Sequence, residues 1–129
     1  MGWNSLVLID DSVFMRKLLR HLVEELKDCV VVGEGSNGYD AINQARMHKP
    51  DVMMLDVSMP LLNGSDAVSE VLKASPKTKI VMVTALGQQT MVVDAIRQGA
   101  KDFLTKPYDK DKVHRVIGNI INIKDGEEK

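Results

Sequence analysis

Acidic, hydroxyl and amine side chains stand at the ends of short apolar runs in this sequence. Two carboxylates follow the first run, a third ends the third run, a hydroxyl ends the fourth and an amine follows the fifth: Asp10, Asp11, Asp56, Thr84 and Lys106. Three carboxylates in one place would repel one another, and each is costly to keep ionised unless a cation shares the site. Oxygen ligands without a histidine or thiolate partner suit Mg2+.

These side chains would suit phosphoryl transfer, in which catalysis consists mostly of positioning and charge neutralisation. Asp56 would be the nucleophile and form an aspartyl phosphate, while Mg2+ and Lys106 offset the added charge. Thr84 would donate its hydroxyl to a phosphate oxygen. Each residue alone has an ordinary structural explanation, because strand-end acids often cap helices and loop Thr or Lys side chains are often merely solvated. Their common position at one edge favours the chemical interpretation.

The apolar runs that position these residues lie at 6–9, 30–32, 52–55, 80–83 and 103–104. They are continuous rather than alternating, which is typical of parallel strands that are buried on both faces. Segments with the apolar spacing of a helix lie between them. The sequence therefore predicts an α/β fold with a five-stranded parallel sheet and helices on both faces. Ligands of such sheets bind beyond the carboxyl ends of the strands, where the polar residues fall.

Three of the helices are marked clearly by their apolar spacing. One apolar stripe runs from Met15 to Leu26, and Ser12 is placed to cap that helix. The last stripe covers 113–121. A shorter stripe from Val92 to Ile96 ends before Gly99, which is a suitable C-terminal stop.

Size and composition indicate one globular domain. The 129 residues are 44% hydrophobic and 27% charged with a formal net charge of -1, so bulk charge gives no sign of nucleic-acid binding. An aromatic content of 4% argues against a base-stacking surface. No apolar stretch reaches the length of a membrane span. We therefore expect a single cytoplasmic domain over 1–129, with a core at about 5–122 and a charged tail at 124–129.

Cysteine and histidine give no sign of a disulfide or a zinc site. Cys29 is the single cysteine and begins an apolar run, so we expect a buried thiol. The histidines fall on helical segments without ligand spacing, so we expect them at the surface. They are His21, His48 and His114.

The stretch GEGSNG, residues 33–38, matches a dinucleotide-binding glycine motif. Three features disfavour that function: the motif follows the second strand rather than the first, Glu34 would place negative charge beside a pyrophosphate, and the chain is too short for two nucleotide-binding halves. We expect the glycines to form a tight turn between strand and helix, with Asn37 and Gly38 opening the helix.

The sequence resembles the receiver domain of bacterial two-component response regulators over about residues 5–122. The residues that end the apolar runs carry this resemblance. The family's paired acids are similar to Asp10 and Asp11, and its D-x-x-M-P-x-x-x-G signature is similar to DVSMPLLNG at 56–64. Its switch hydroxyl falls on Thr84, and its Lys-Pro pair falls on Lys106-Pro107. The stretch 85–108 most resembles stand-alone chemotaxis regulators, which are CheY-like.

The resemblance implies a flavodoxin-like three-layer sandwich with strand order 2-1-3-4-5. It implies that Asp56 accepts a phosphoryl group from a histidine kinase, that Lys106 contacts this group, and that the Lys-Pro bond is cis. The ligands of Mg2+ would be Asp11, Asp56 and the backbone carbonyl of Ser58, with Asp10 assisting through water. The protein would be a phosphoacceptor in signalling rather than an enzyme, catalysing only its own phosphorylation and slow dephosphorylation.

The resemblance also implies a switch in which Thr84 moves toward the phosphate and an aromatic residue of the fifth strand, Phe103, turns inward. Since the chain ends soon after the fifth helix, we expect its own surface to act on a protein target. The expected face joins the fourth helix, the fifth strand and the fifth helix. It includes Gln89, Arg97, Lys101, Phe103 and Tyr108.

Further expectations concern decay and assembly. Leu86 is apolar where some relatives are polar and offers no group to orient an attacking water, so we expect slow self-dephosphorylation. We expect a monomer that could dimerise on phosphorylation, acting in chemotaxis without direct contact to nucleic acid or insertion into a membrane.

Three alternatives remain open from the sequence. A receiver module of a larger transcriptional regulator or phosphorelay would share the chemistry and differ in output. A docking module that is never phosphorylated would not need the complete set of site residues. A phosphatase of the haloacid dehalogenase kind would need a D-x-D nucleophile after the first strand, where this chain has adjacent Asp10 and Asp11.

Overall fold

The computed structural model describes residues 3–122, so the expected tail at 124–129 lies outside the described residues. Within that range five strands alternate with five helices, as the sequence predicts. The strands are β1 Asn4–Ile9, β2 Cys29–Gly35, β3 Val52–Asp56, β4 Lys79–Thr84 and β5 Asp102–Thr105. The helices are α1 Val13–Glu24, α2 Gly38–His48, α3 Gly64–Ala74, α4 Gln89–Gln98 and α5 Lys110–Ile121.

The strands form one parallel sheet in the order β2-β1-β3-β4-β5. Alternate residues of each central strand enter two different cores because successive side chains point to opposite faces. Leu6 and Leu8 pack with α1 and α5, whereas Val7 and Ile9 pack with the cluster that α2, α3 and α4 cover. Burial of each such side chain stabilises the fold by about 1.5–3 kcal/mol. The result is the expected flavodoxin-like three-layer sandwich.

Polar caps begin four of the five helices. The side chains of Ser12, Asn37, Asn63 and Asp109 each accept a hydrogen bond from a backbone N–H of the first turn. Each such cap stabilises the protein by about 1 kcal/mol. Gly99 ends α4 with a φ of 124°, so both the Ser12 cap and the Gly99 stop are confirmed.

Strand β2 is longer than the sequence predicts, and it includes the first half of the glycine motif. The pairing with β1 jumps from Leu6 and Val31 to Val7 and Gly33, so Val32 is an extra residue at a bulge. A side chain at Gly33 would overlap Gln44 of α2. The glycines therefore allow a helix to approach a strand closely, and the expected tight turn covers only the end of the motif.

Burial agrees with most of the apolar patterns, and the exceptions include Phe103 of the fifth run, which is 47% exposed. Cys29 is a buried thiol, as expected. On α4 Ala95 is buried, but Ile96 is 42% exposed, so the predicted stripe is only partly core. Every helix of the described residues is too short or too polar to span a membrane.

Candidate functional site

The acidic residues meet where β1 and β3 end side by side. Ile9 pairs with Leu55 across these strands, so Asp10 and Asp56 emerge at the same edge of the sheet. One carboxylate oxygen from each of Asp10, Asp11 and Asp56 lies within 4.8 Å of the others. Asp10 and Asp56 are buried while Asp11 is exposed, so the cluster is rigid on one side and open to solvent on the other.

Lys106 supplies a positive charge to this cluster. Its Nζ lies 3.4 Å from Oδ2 of Asp56 and 3.5 Å from Oδ2 of Asp10. The backbone N–H of Lys106 donates to the Thr84 carbonyl at 2.7 Å, which fixes the start of the β5–α5 loop against β4. The Lys106–Pro107 peptide bond is cis, as the resemblance implies.

The electrostatics of the site oppose ionisation of Asp56. Burial raises its pKa from 3.8 to about 6, and the Asp10 carboxylate adds to the increase. Lys106 and the backbone N–H of Ser58 lower this pKa in part. One ammonium group does not balance three carboxylates, so the cluster suits a divalent cation with a preference for oxygen ligands.

The loop between β3 and α3 holds Asp56 from behind. The backbone N–H of Val57 donates to the Val83 carbonyl at 3.0 Å, and the backbone N–H of Gly64 donates to the Val57 carbonyl at 2.9 Å. An added Cβ at Gly64 would overlap the Asp56 carbonyl oxygen. Met59 is buried beneath the loop. The loop therefore needs a glycine at position 64, because the chain returns there to the backbone of Asp56 and Val57.

Thr84 lies at the same edge as Asp56, because its neighbour Val83 pairs with Asp56 across the sheet. Its side chain is buried, and its hydroxyl donates to Oε1 of Gln88 at 3.2 Å and to the Ala85 carbonyl at 3.3 Å. Sequence reasoning found Thr84 but missed Gln88. Gln88 stands four residues after Thr84 and directly before a helix, and this spacing could have indicated the contact between their side chains.

Arg16 is a second residue that sequence reasoning missed. Its Nη1 donates to the Asp10 carbonyl at 2.6 Å, and its Nε donates to Glu34 at 3.1 Å. Arg20 also forms an ion pair with Glu34. Glu34 of the glycine motif therefore holds the guanidinium that supports the Asp10 backbone, which gives this residue of the motif a structural role.

The comparisons with known proteins agree with this geometry. A sequence model of the response regulator receiver domain matches residues 6–118. This chain belongs to the response regulator receiver domain family. Receiver domains are signalling domains that take phosphate from histidine kinases and act on downstream targets.

The relatives of this receiver domain include chemotaxis proteins. Chemotaxis protein CheY of Listeria monocytogenes is 42% identical over 109 residues, which cover 84% of this chain and 91% of the relative. The response regulator domain of Thermotoga maritima CheB has a TM-score of 0.83 at 31% identity, covering 95% of this chain and 98% of that chain. CheY in the CheX-CheY-BeF3-Mg+2 complex of Borrelia burgdorferi has a TM-score of 0.84 at 27% identity. The match covers 93% of this chain and 90% of that chain.

Phe103 of this receiver domain faces outward and is 47% exposed. A cleft of about 360 Å³ lies beside it, between β4, β5 and α4, and its lining includes Thr84, Leu86 and Lys106. The cleft offers room for the inward turn that the resemblance implies for Phe103. Leu86 is 93% exposed at this cleft.

Three residues that we expect at the surface are only partly exposed: His48, Tyr108 and His114. Tyr108 is half-buried against the core that α1 and α5 cover, and its hydroxyl has no partner among the described residues. Burial and the nearby acids raise the pKa of Tyr108 to about 12. His114 is also half-buried, with Nε2 2.7 Å from the Leu22 carbonyl, whereas His21 is exposed as expected. The packing of α5 and the loop before it against α1 therefore uses residues that the sequence placed at the surface.

The other three residues of the expected output face lie at the surface. Gln89, Arg97 and Lys101 are exposed, and they lie on or next to α4 beside Phe103.

Among the described residues, the one group of three or more acidic, histidine or cysteine side chains that could hold a metal is the Asp10, Asp11 and Asp56 cluster.

Proposed function

We propose that this receiver domain is a phosphorylation-dependent switch of a two-component system, with Asp56 as the phosphoacceptor. The observation that carries the proposal is the position of Asp56: a buried carboxylate at the end of β3, with the Lys106 ammonium 3.4 Å away and two further acids beside it. Burial keeps the nucleophile in one geometry, and proximity of this kind supplies much of the barrier reduction in group transfer.

In the proposed reaction, an Asp56 carboxylate oxygen attacks the phosphorus of a phosphohistidine in the kinase. The new P–O bond forms as the P–N bond breaks, and the histidine nitrogen leaves with the bonding electron pair. The Lys106 ammonium, which lies 3.4 Å from Asp56, would bind the negatively charged phosphoryl group, and Thr84 would turn its hydroxyl to a phosphoryl oxygen. Mg2+ bound by Asp11, Asp56 and the Ser58 carbonyl, with Asp10 assisting, would neutralise charge on the phosphoryl oxygens.

The proposed output is a change of the α4-β5-α5 face that alters binding of a protein target. The exposed Phe103 beside its cleft supports this role, since a rotamer change there would alter both the shape and the polarity of the face. We infer a function in chemotaxis, which rests on the identity of 42% with a CheY over most of both chains. Unimpaired chemotaxis in a strain that lacks the gene would contradict this inference.

A receiver module of a larger regulator is the second candidate. It is favoured by the likeness to the response regulator domain of CheB, which covers 95% of this chain. The site chemistry would be the same, and the output would pass to the attached domain. In either case we propose one functional domain over 1–129, in the cytoplasm with its kinase, that is monomeric before phosphorylation.

The phosphoacceptor is tested by incubating the protein with Mg2+ and a small acyl phosphate. We expect a hydroxylamine-labile mass gain of one phosphoryl group, because acyl phosphates react with hydroxylamine. Asp56→Asn should abolish the gain. Asp111→Asn, at an exposed position in the first turn of α5, is the matched control and should label like the wild type. Equal labelling of Asp56→Asn would overturn the assignment of the nucleophile.

A further inference from the structure

Gln88 directly precedes α4, and its side chain folds back over the β4–α4 loop rather than capping its own helix. Its Oε1 accepts from the backbone N–H of Ala85 at 2.7 Å and from the Thr84 hydroxyl at 3.2 Å. The backbone N–H of Gln88 donates to the Ala85 carbonyl at 3.3 Å. One amide oxygen therefore uses both of its lone pairs, on the last residue of β4 and on the residue that follows it.

The Thr84 hydroxyl has a single proton, which lies between the Gln88 Oε1 at 3.2 Å and the Ala85 carbonyl at 3.3 Å, so it cannot serve a further acceptor without leaving these two. In the proposed function this hydroxyl turns to a phosphoryl oxygen on Asp56. A charged phosphoryl oxygen is a stronger acceptor than a neutral amide oxygen, so it can draw the hydroxyl away from Gln88. The contact with Gln88 would therefore oppose the switch before phosphorylation and would be lost after it.

We propose that Gln88 is a positioning residue that holds Thr84 and the β4–α4 loop in the unphosphorylated arrangement. The proposal rests on the proposed function and deepens it, because it names a group of this chain that sets how readily the switch moves. Gln88 acts through Thr84 and does not touch the transferred group.

The opposite end of α4 is held by a different glutamine. Nε2 of Gln98 donates to the Ser65 carbonyl at 2.8 Å, and its Oε1 accepts from the Ser69 N–H at 3.2 Å. These bonds tie the C-terminal end of α4 to α3. Release at Gln88 would therefore free the N-terminal end of α4 while the other end stays anchored.

The freed segment is the one that borders the cleft beside Phe103. It contains Leu86, which is almost fully exposed, and Gly87, whose φ of 91° favours glycine. A shift of this loop would change the wall of the cleft into which Phe103 is expected to turn. Gln88 thus connects the hydroxyl at the phosphorylation site with the output face.

The test measures binding of beryllofluoride, a tetrahedral phosphoryl analogue, to 15N-labelled protein in the presence of Mg2+. Gln88→Met keeps the length of the side chain and removes the acceptor oxygen. We expect it to bind the analogue about three- to tenfold more tightly than the wild type, which corresponds to one or two net hydrogen bonds lost only from the free state. Thr90→Val, at an exposed position in the first turn of α4, should change the affinity by less than about twofold.

The amide signal of Ala85 provides a second readout that is independent of phosphorylation. In the free protein, Gln88→Met should increase the hydrogen exchange rate of the Ala85 N–H, and Gln88→Glu should preserve its protection because an acceptor oxygen remains. Gln88→Glu should bind the analogue no more tightly than the wild type. A merely structural role for Gln88 would lower stability in both variants without this difference in affinity.

The possible outcomes separate the two proposals. Normal binding of beryllofluoride by Gln88→Met, with the exchange rate of Ala85 increased, would overturn the role of Gln88 and leave the proposed function intact. An equal gain in affinity for Thr90→Val would also overturn it. Absence of analogue binding by the wild-type protein would overturn the proposed function and, with it, the part of Gln88 in switching. Gln88→Ala serves as a second variant if Gln88→Met unfolds.

Discussion

At the scale of single residues, Asp56 combines two opposing requirements. A nucleophile held in one geometry must be packed, and packing removes the water that stabilises a carboxylate. Lys106 compensates for only part of this loss, because its ammonium is shared with Asp10. The pKa of Asp56 therefore stays raised, at about 6, in the protein without a bound metal.

This raised pKa predicts that Asp56→Asn stabilises the metal-free protein at neutral pH. Between pH 3.8 and about 6 the folded protein binds the proton more tightly than the unfolded chain does, so the contribution of Asp56 to stability decreases as the pH rises through this window. Above it, the ionised carboxylate lowers the free energy of unfolding by about 1 to 3 kcal/mol. Removing the charge should restore that amount.

Urea unfolding of the metal-free proteins at several pH values checks this expectation. Asp56→Asn should be more stable than the wild type above pH 6, and the difference should shrink as the pH falls toward 3.8. Asp111→Asn, which removes a carboxylate at an exposed position, is the control for the loss of one negative charge. A gain of the same size at both ends of the pH range would show that the charge of Asp56 is not the cause.

At the scale of elements, the site depends on how closely the β3–α3 loop returns to its strand. Gly64 begins α3 directly against the Asp56 backbone, where a side chain has no room. Asn63 caps the helix from the preceding position through a bond of 2.9 Å to the Asp66 N–H. Strand end, loop and helix start thus form one unit that sets the position of Asp56.

Two glycine substitutions should have opposite effects on stability. Gly64→Ala should lower the free energy of unfolding by about 1 to 3 kcal/mol, because the added methyl group pushes against backbone that cannot rotate away. Gly118→Ala, in the interior of α5 where the added methyl group would meet no atom of the described residues, should raise it by about 0.5 to 1 kcal/mol. Chemical denaturation of both variants tests the pair. Destabilisation by Gly118→Ala, or none by Gly64→Ala, would contradict the packing argument.

At the scale of the whole molecule, the fold collects four loops at one edge of the sheet. The site residues come from β1, β3, β4 and β5, so no part of the site exists in the unfolded chain. A ligand that binds only the folded state stabilises the entire domain. Metal binding at this edge should therefore be visible in global unfolding.

Mg2+ should raise the melting temperature of the wild-type protein. At a concentration of about 100 times Kd, the expected stabilisation is about 2.7 kcal/mol. Thermal unfolding with MgCl2 measures it, with NaCl at equal ionic strength as the control for screening. Asp11→Asn should remove most of the effect, since it deletes a ligand at the exposed side of the cluster. An equal response of Asp11→Asn and the wild type would argue against this metal site.

Most of the fold was predictable because it depends on periodicity. Continuous apolar runs and helical stripes predict all five strands and their parallel arrangement, and both the Ser12 cap and the Gly99 stop follow from local chemistry. The length of β2 was not predictable, because its extension uses glycines that sequence rules assign to turns. The strand continues there because α2 packs against it closely, and such packing is not a local property.

The sequence by itself determined which residues end the strands, and hence that Asp10, Asp11, Asp56, Thr84 and Lys106 share one edge. This follows because every parallel strand delivers its last side chain to the same side of a sheet. Only the tertiary structure decided the state of these residues: the pKa of Asp56 and the partner of the Thr84 hydroxyl. Desolvation and hydrogen bonding depend on which atoms surround a group in space, and spacing along the chain carries little information about that.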